Sequence, residues 1–167
     1  MKAIILIGYM CSGKTTLGKA LADALNIPFL DTDTLIETTT KNTIKQLFKS
    51  IGETKFRQLE LDLLDTLPRE NCIISTGGGL PCFNDAINYL NNIGTTVYLK
   101  HSPEVLFNRL QTDHNNRPLF NEGLTLQHVK DHLKEREVFY NQAALIVPTQ
   151  NQRCDYLINQ LKYDKLP

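Results

Sequence analysis

The stretch that decides the reading is Gly8-Tyr9-Met10-Cys11-Ser12-Gly13-Lys14-Thr15. It fits G-x-x-x-x-G-K-[ST], a loop that wraps phosphate groups in inward-pointing backbone N–H groups. A triphosphate is a dense anion with little shape to grip, so a cradle of donors suits it. Gly8 and Gly13 permit the unusual dihedrals of such a loop. Lys14 is expected to reach the β- and γ-phosphates. The Thr15 hydroxyl is expected to ligate the magnesium ion that travels with the nucleotide. Tyr9, Met10, Cys11, Ser12 and Thr16 complete the expected nucleotide-binding run.

The flanks agree with the motif. Ala3-Ile4-Ile5-Leu6-Ile7 is a short apolar, β-branched run that reads as a buried parallel strand. After the loop, Leu17, Ala20, Leu21, Ala24 and Leu25 recur at helical spacing. A helix opening at the loop also turns its positive end toward a bound anion. A chance glycine-rich turn would explain the glycines but not the placement of Lys14-Thr15 between these flanks.

Further along, Ile27-Pro28-Phe29-Leu30 reads as a second strand, with Asp31-Thr32-Asp33 at its C-terminal end. Ligands bind at that edge of an open α/β sheet. One carboxylate there could support a metal and the other accept a proton. Helix capping by Asp31 or Thr32 is the alternative, and it is compatible with either role. Residues 41–67 read as helix in pieces. Ile44, Leu47 and Phe48 share one face, Ser50-Ile51-Gly52 interrupts, and Phe56, Leu59, Leu63, Leu64 and Leu67 continue up to Pro68. Spacing alone makes Arg57 a solvated helix residue.

Residues 72–76 read as the third strand, followed by Gly77-Gly78-Gly79. Three consecutive glycines at a strand end allow close backbone approach to a ligand, or merely a flexible turn. Ser75-Thr76 stands where many phosphate-loop enzymes have a metal-supporting Asp, which makes Asp31 the best substitute. A helix over 83–92 and a fourth strand over 95–99 follow. The next helix has Ser102 as cap and Pro103 at its first position, with Arg109 near its end. Residues 111–123 are polar and break the pattern; such a stretch is either a lid or a solvated loop, and Arg117 lies in it. Residues 125–143 are helical, with Leu126, Val129, Leu133 and Val138 roughly on one side. Arg136 sits in Lys134-Glu135-Arg136-Glu137, which by itself reads as a charged solvated face. A fifth strand over 144–147, a polar turn over 149–153 and a final helix close the chain. Alternating strands and helices predict a three-layer α/β/α sandwich on a parallel sheet of about five strands.

Composition bounds the rest. The chain has 167 residues, suited to one domain over 1–167, with 18 Lys+Arg balancing 18 Asp+Glu. Zero formal net charge argues against a broad basic surface for nucleic acid, and no apolar run is long enough to span a bilayer. The N-terminal apolar run leads straight into the loop, so it reads as a core strand rather than a signal peptide. Cys11, Cys72, Cys82 and Cys154 are scattered without metal spacing, as expected of reduced thiols in a cytoplasmic protein. Cys11 is either a redox-sensitive thiol beside positive charge or a position whose backbone alone matters.

The ordered series resembles the shikimate kinases, within the nucleoside-monophosphate-kinase-like group of phosphate-loop proteins. It comprises the phosphate loop, Asp31-Thr32-Asp33, Phe56-Arg57, Gly77-Gly78-Gly79, Arg117-Pro118-Leu119 and Arg136. The resemblance covers nearly the whole chain. It implies strand order 2-3-1-4-5 and ATP- and Mg²⁺-dependent phosphorylation of the shikimate 3-hydroxyl, in aromatic amino-acid biosynthesis. It also implies a substrate-binding segment around 32–60 and a lid around 111–123. By the same resemblance Asp31 joins Thr15 at the magnesium ion, and Asp33 binds substrate hydroxyls and is the candidate base. Arg57 and Arg136 hold the substrate carboxylate beside Gly77, Gly78 and Gly79, and Arg117 belongs to the lid. Arg109 packs on adenine, helped by the turn that contains Gln152 and Arg153. Two departures stand out: Cys11 where the family usually has Gly, and Thr15 where Ser is common. A guanidinium pair suits a carboxylate and Asp33 suits a polyol. The rivals are a kinase for gluconate or a nucleoside monophosphate, and a non-catalytic nucleotide-binding regulator. Monomer is the expected state, because no exposed apolar stripe stands out.

Overall fold

The computed structural model describes residues 1–112 and 123–163. Among them, five strands form one parallel sheet in the order β2-β3-β1-β4-β5. The strands are β1 (Ala3–Ile7), β2 (Phe29–Asp31), β3 (Ile73–Ser75), β4 (Gly94–Lys100) and β5 (Leu145–Pro148). The helices are α1 (Lys14–Leu25), α2 (Thr32–Thr40), α3 (Ile44–Leu64), α4 (Ala86–Ile93), α5 (Pro103–Thr112), α6 (Leu126–Tyr140) and α7 (Cys154–Tyr163). The expected fold class and strand order both hold.

Central β1 shows why there are three layers. All five of its residues are buried. Ala3, Ile5 and Ile7 point into one core with Leu64, Leu90, Leu106, Leu133 and Tyr140. Ile4 and Leu6 point into the other with Leu21, Ala22, Val97 and Leu157. Side chains alternate along a strand, so a strand buried on both faces is apolar throughout. A smaller cluster of Ile36, Leu47 and Phe56 seats α2 against α3.

The parallel sheet sends every strand's C-terminal end to one edge. In register, Leu6 and Asp31 both lie opposite Ser75, Ile7 opposite Tyr98, and Lys100 opposite Pro148. The strand order reverses at β1, so the phosphate loop leaves the sheet at the switch point where α/β sheets open a crevice.

Some boundaries and faces differ from the spacing-based reading. The second strand begins at Phe29 and takes in Asp31. In place of a helix start at Phe83, a single 3₁₀ turn covers Leu80–Cys82 and α4 begins at Ala86. The interruption near Gly52 is a kink within α3, where Gly52 has φ 77° and ψ 169°. Val138 is 60% exposed, so α6 turns inward through Val129, Leu133, Arg136 and Tyr140 instead.

Helix α1 lies close to the sheet because residue 18 has no side chain. A β-carbon on Gly18 would come within 2.5 Å of the Phe29 ring and 3.1 Å of Leu6 Cδ1. Gly18→Val is expected to lower stability by about 1–3 kcal/mol through overpacking. Lys19→Val, at the exposed neighbouring position, is expected to stay within about 0.5 kcal/mol. Urea unfolding of the two variants checks this; equal midpoints would contradict the close packing of α1.

Candidate active site

The phosphate loop joins β1 to α1. Gly8 has φ 142° and Gly13 φ 91°, conformations that favour glycine. Cys11 takes the left-handed conformation, φ 59°, without being glycine. The loop therefore holds a side-chain-bearing residue in a conformation that glycine would adopt without strain. Lys14 is buried, and its Nζ donates to the carbonyls of Gly8 and Tyr9, each at 2.9 Å. Its charge is thus held over the loop's centre.

Asp31 uses its two oxygens differently. Oδ1 accepts from the backbone N–H groups of Asp33 and Thr34, at 3.1 and 3.2 Å, and so caps α2. Oδ2 accepts from Thr15 Oγ1 at 3.0 Å. The two residues expected at a metal are therefore adjacent. A hydroxyl and a carboxylate are hard oxygen donors. Magnesium is commonly bound by one or two carboxylates with phosphate oxygens and water completing its shell, so this pair fits it. Among the described residues, no three His, Cys, Asp or Glu side chains gather into a metal-holding group. Thr32 is fully buried, and its hydroxyl accepts from the Gly77 N–H at 3.0 Å. That bond ties the start of α2 to the glycine turn.

Gly77, Gly78 and Gly79 each make room for a different group. A β-carbon on Gly77 would sit 2.5 Å from Glu60 Oε1 and 2.8 Å from Asp33 Oδ1. One on Gly78 would meet Gly8 O and Met10 N at 3.3 Å and Arg136 Nη1 at 3.6 Å. One on Gly79 would overlap the Arg57 guanidinium. The turn therefore packs its bare backbone against the phosphate loop, both arginines and both carboxylates.

Arg57 and Arg136 are buried, with 7% and 8% exposure, against the spacing-based reading of both as solvated. The inward stripe of α3 is Phe56, Arg57, Glu60 and Leu64, which is helical spacing with two charges in it. Arg57 pairs with Glu60 Oε2 at 2.5 Å and with Glu53 at 3.2 Å. Glu60 is fully buried, and among the described residues its Oε1 has no hydrogen-bond partner. Burial pushes the Glu60 carboxyl up to about 7, although Arg57 pulls it down; Asp33 nearby adds to the rise. Arg136 lies 5.8 Å from the centroid of the Tyr9 ring. The Tyr9 hydroxyl is 2.7 Å from His132 Nδ1. Burial pushes the Tyr9 hydroxyl up to about 12 and the His132 ring down to about 4. From α6, Tyr140 donates to the Gly78 carbonyl at 2.6 Å.

A cleft of about 770 Å³ opens along the sheet edge. Its walls include the loop residues from Met10 to Thr16, Asp31, Asp33, Gly78, Arg109, Gln152 and Arg153. Arg109 Nη1 donates to the Cys11 carbonyl at 3.0 Å. The Gln152 amide donates to the carbonyls of Lys100 and Val147, at 3.1 Å each. Gly8 and Tyr9 are buried, and Arg57, Gly77, Gly79 and Arg136 gather at the side bounded by Asp33 and Gly78. Arg117 and most of the 111–123 stretch fall outside the described residues.

A family model of shikimate kinase matches residues 10–163. The chain belongs to the shikimate kinase family. A shikimate kinase of Bacteroides fragilis is 45% identical over 150 residues, covering 87% of this chain and 84% of the relative. The crystal structure of shikimate kinase from Bacteroides thetaiotaomicron superposes with a TM-score of 0.86 at 39% identity, over 96% of each chain. The solved structure of shikimate kinase from Acinetobacter baumannii in complex with shikimate has a TM-score of 0.91 at 32% identity, over 100% of this chain and 96% of that one.

Several residues that gather at this candidate site escaped the sequence reading. Glu60 was not singled out, although it stands three residues after Arg57 on the same face. Thr32 was visible as a capping candidate, but its bond to Gly77 joins residues 45 positions apart. Tyr140 carried no local signal at all.

The raised Glu60 carboxyl gives a pH signature. Between its ordinary 4.5 and about 7, the folded chain binds this proton more tightly than the unfolded chain. The contribution is therefore present at low pH and lost as pH rises through about 7. The stability of the wild-type chain relative to Glu60→Gln should fall between pH 4.5 and 7 and level off above. Urea midpoints at several pH values check this, and a pH-independent difference would contradict it.

Proposed function

We propose that this chain transfers the γ-phosphoryl group of ATP to the 3-hydroxyl of shikimate, releasing ADP and shikimate 3-phosphate in aromatic amino-acid biosynthesis. The observation that carries the reading is the gathering of buried Arg57, buried Arg136 and Asp33 around one glycine turn, directly against the phosphate loop. An acceptor that has both a carboxylate and vicinal hydroxyls matches that set. Planar guanidinium groups bind carboxylates bidentately, and a carboxylate orients hydroxyls.

In this reading the loop amides and Lys14 hold the β- and γ-phosphates, and Gly8 to Thr16 form the nucleotide's phosphate site. Thr15 and Asp31 hold Mg²⁺, which when bound neutralises charge on the phosphate oxygens. Arg57 and Arg136 grip the acceptor carboxylate, with Gly77 to Gly79 giving it close backbone contact. Asp33 aligns the 3-hydroxyl and takes its proton as the oxygen bonds to the γ-phosphorus and the bond to ADP breaks. Arg109, Gln152 and Arg153 border the base. The 32–60 segment carries the acceptor side, with its own small core of Ile36, Leu47 and Phe56. The 111–123 stretch is the proposed lid, with Arg117 closing on the phosphates. Closure there excludes water, the competing acceptor. The chain is proposed to act as a single-domain cytoplasmic monomer on these two small substrates, without nucleic acid or membrane. Among the described residues, no helix is long and apolar enough to cross a membrane.

A coupled ADP-release assay with ATP and Mg²⁺ tests the reading. Release should depend on shikimate and stay at background with gluconate, AMP or no acceptor; release with another acceptor would overturn the substrate. Asp33→Asn is expected to lower turnover by about 10²–10⁴-fold while ATP binding stays nearly intact. Lys14→Ala is expected to damage nucleotide affinity and turnover together. Near-normal turnover in a folded Asp33→Asn variant would remove Asp33 from the proton-accepting role.

A further inference from the structure

His101 follows the last residue of β4 and is buried, with 3% exposure. Its Nε2 lies 2.9 Å from the Ser12 carbonyl of the phosphate loop. A carbonyl only accepts, so Nε2 carries the proton. Its Nδ1 lies 2.9 Å from the Thr149 hydroxyl, which also reaches the Lys100 carbonyl at 3.2 Å. Thr149 opens the short 3₁₀ turn Thr149–Asn151, and with Gln152 and Arg153 it lines the far part of the cleft. Arg109 Nη1 stands 3.3 Å from His101 Nε2 while donating to Cys11 O. Burial holds the ring below its ordinary pKa, with Arg109 and Lys14 adding to the fall and the Ser12 and Gln152 contacts opposing it. The imidazole thus has a partner at each ring nitrogen and forms a two-ended bridge.

We infer that His101 is a positioning residue for the nucleotide, holding the phosphate loop and the Thr149 turn at a fixed separation. The inference rests on the proposed ATP site. A ligand that spans both elements needs them at the right distance before it binds. A ligand that touches the loop alone does not. The ring therefore supplies preorganisation to ATP and ADP, and little to a bare polyphosphate.

The test compares ADP with tripolyphosphate by titration calorimetry, in the wild-type chain, His101→Leu and His101→Gln. His101→Leu keeps the bulk and removes both hydrogen bonds. It should weaken ADP about 10-fold, as expected for losing net hydrogen-bond contributions of ordinary size, and weaken tripolyphosphate less than about 3-fold. KM for ATP should rise in parallel, with kcat and KM for shikimate within about 2-fold of wild type. His101→Gln, which restores a donor and an acceptor, should recover part of the ADP loss. Equal losses for ADP and tripolyphosphate would overturn the bridge, as would unchanged ADP binding or a matching fall in kcat. If His101→Leu does not fold, His101→Phe removes the same two hydrogen bonds while keeping a planar ring. It must show the same asymmetry between ADP and tripolyphosphate for the inference to stand. A wild-type chain that binds no ADP would instead overturn the nucleotide reading itself.

Discussion

The site depends on one steric constraint: bare backbone must pass between charged side chains at Gly77–Gly79. A β-carbon on any of the three would intrude on a different functional neighbour, from the carboxylates of Asp33 and Glu60 to the guanidinium of Arg57. The turn cannot move away, because it is held on both sides. Thr32 accepts from its first amide and Tyr140 donates to its second carbonyl. Parallel pairing of β3 with β1 and β2 sets where it starts. The distances among the phosphate loop, α2, α3 and α6 are therefore set through a segment that contributes no side chain.

That geometry concentrates charge away from water. Arg57, Glu60 and Arg136 are all buried, and isolated buried charges are strongly disfavoured. Pairing offsets much of this for Arg57 through Glu60 and Glu53. Glu60 keeps an oxygen without a hydrogen bond among the described residues, and its carboxyl is pushed toward neutrality. Replacing such a cluster with apolar side chains commonly stabilises a protein. Its presence is better explained by what it prepares. In the proposed reaction, guanidinium groups that are already desolvated would lose little on meeting a carboxylate and would act in a lower dielectric.

The sequence carried the frame more fully than the site. Periodicity works where burial and apolarity coincide, so β1, α1 and the alternation that predicts a parallel sheet were all readable. It fails where a charged residue is buried. Arg57 and Arg136 look solvated by spacing, and only the ordered motif series singled them out. Val138 misled in the opposite direction: an apolar residue on the exposed side of a helix whose inward face carries an arginine. Contacts between residues far apart in the chain, such as His101 with Ser12 or Tyr140 with Gly78, have no local pattern to read. Phosphate-loop residues were legible because backbone geometry, glycine and lysine are all specified within eight positions.

Asp31 shows how few residues link the two halves of the proposed reaction. Many phosphate-loop enzymes place a metal-supporting carboxylate after the third strand. Here that strand ends in buried Ser75 and Thr76, and Thr76 turns its hydroxyl to the Leu6 carbonyl. The carboxylate comes from the neighbouring strand instead, since Asp31 pairs in register with Ser75. One oxygen faces Thr15 while the other holds the N–H of Asp33. The proposed metal and the proposed base are thus connected through a single carboxyl group and one backbone amide. A shift of Asp31 toward the metal would carry the start of α2 with it, and the position of Asp33 follows. Capping and the proposed metal support, compatible when read along the chain, use two different oxygens of the same side chain.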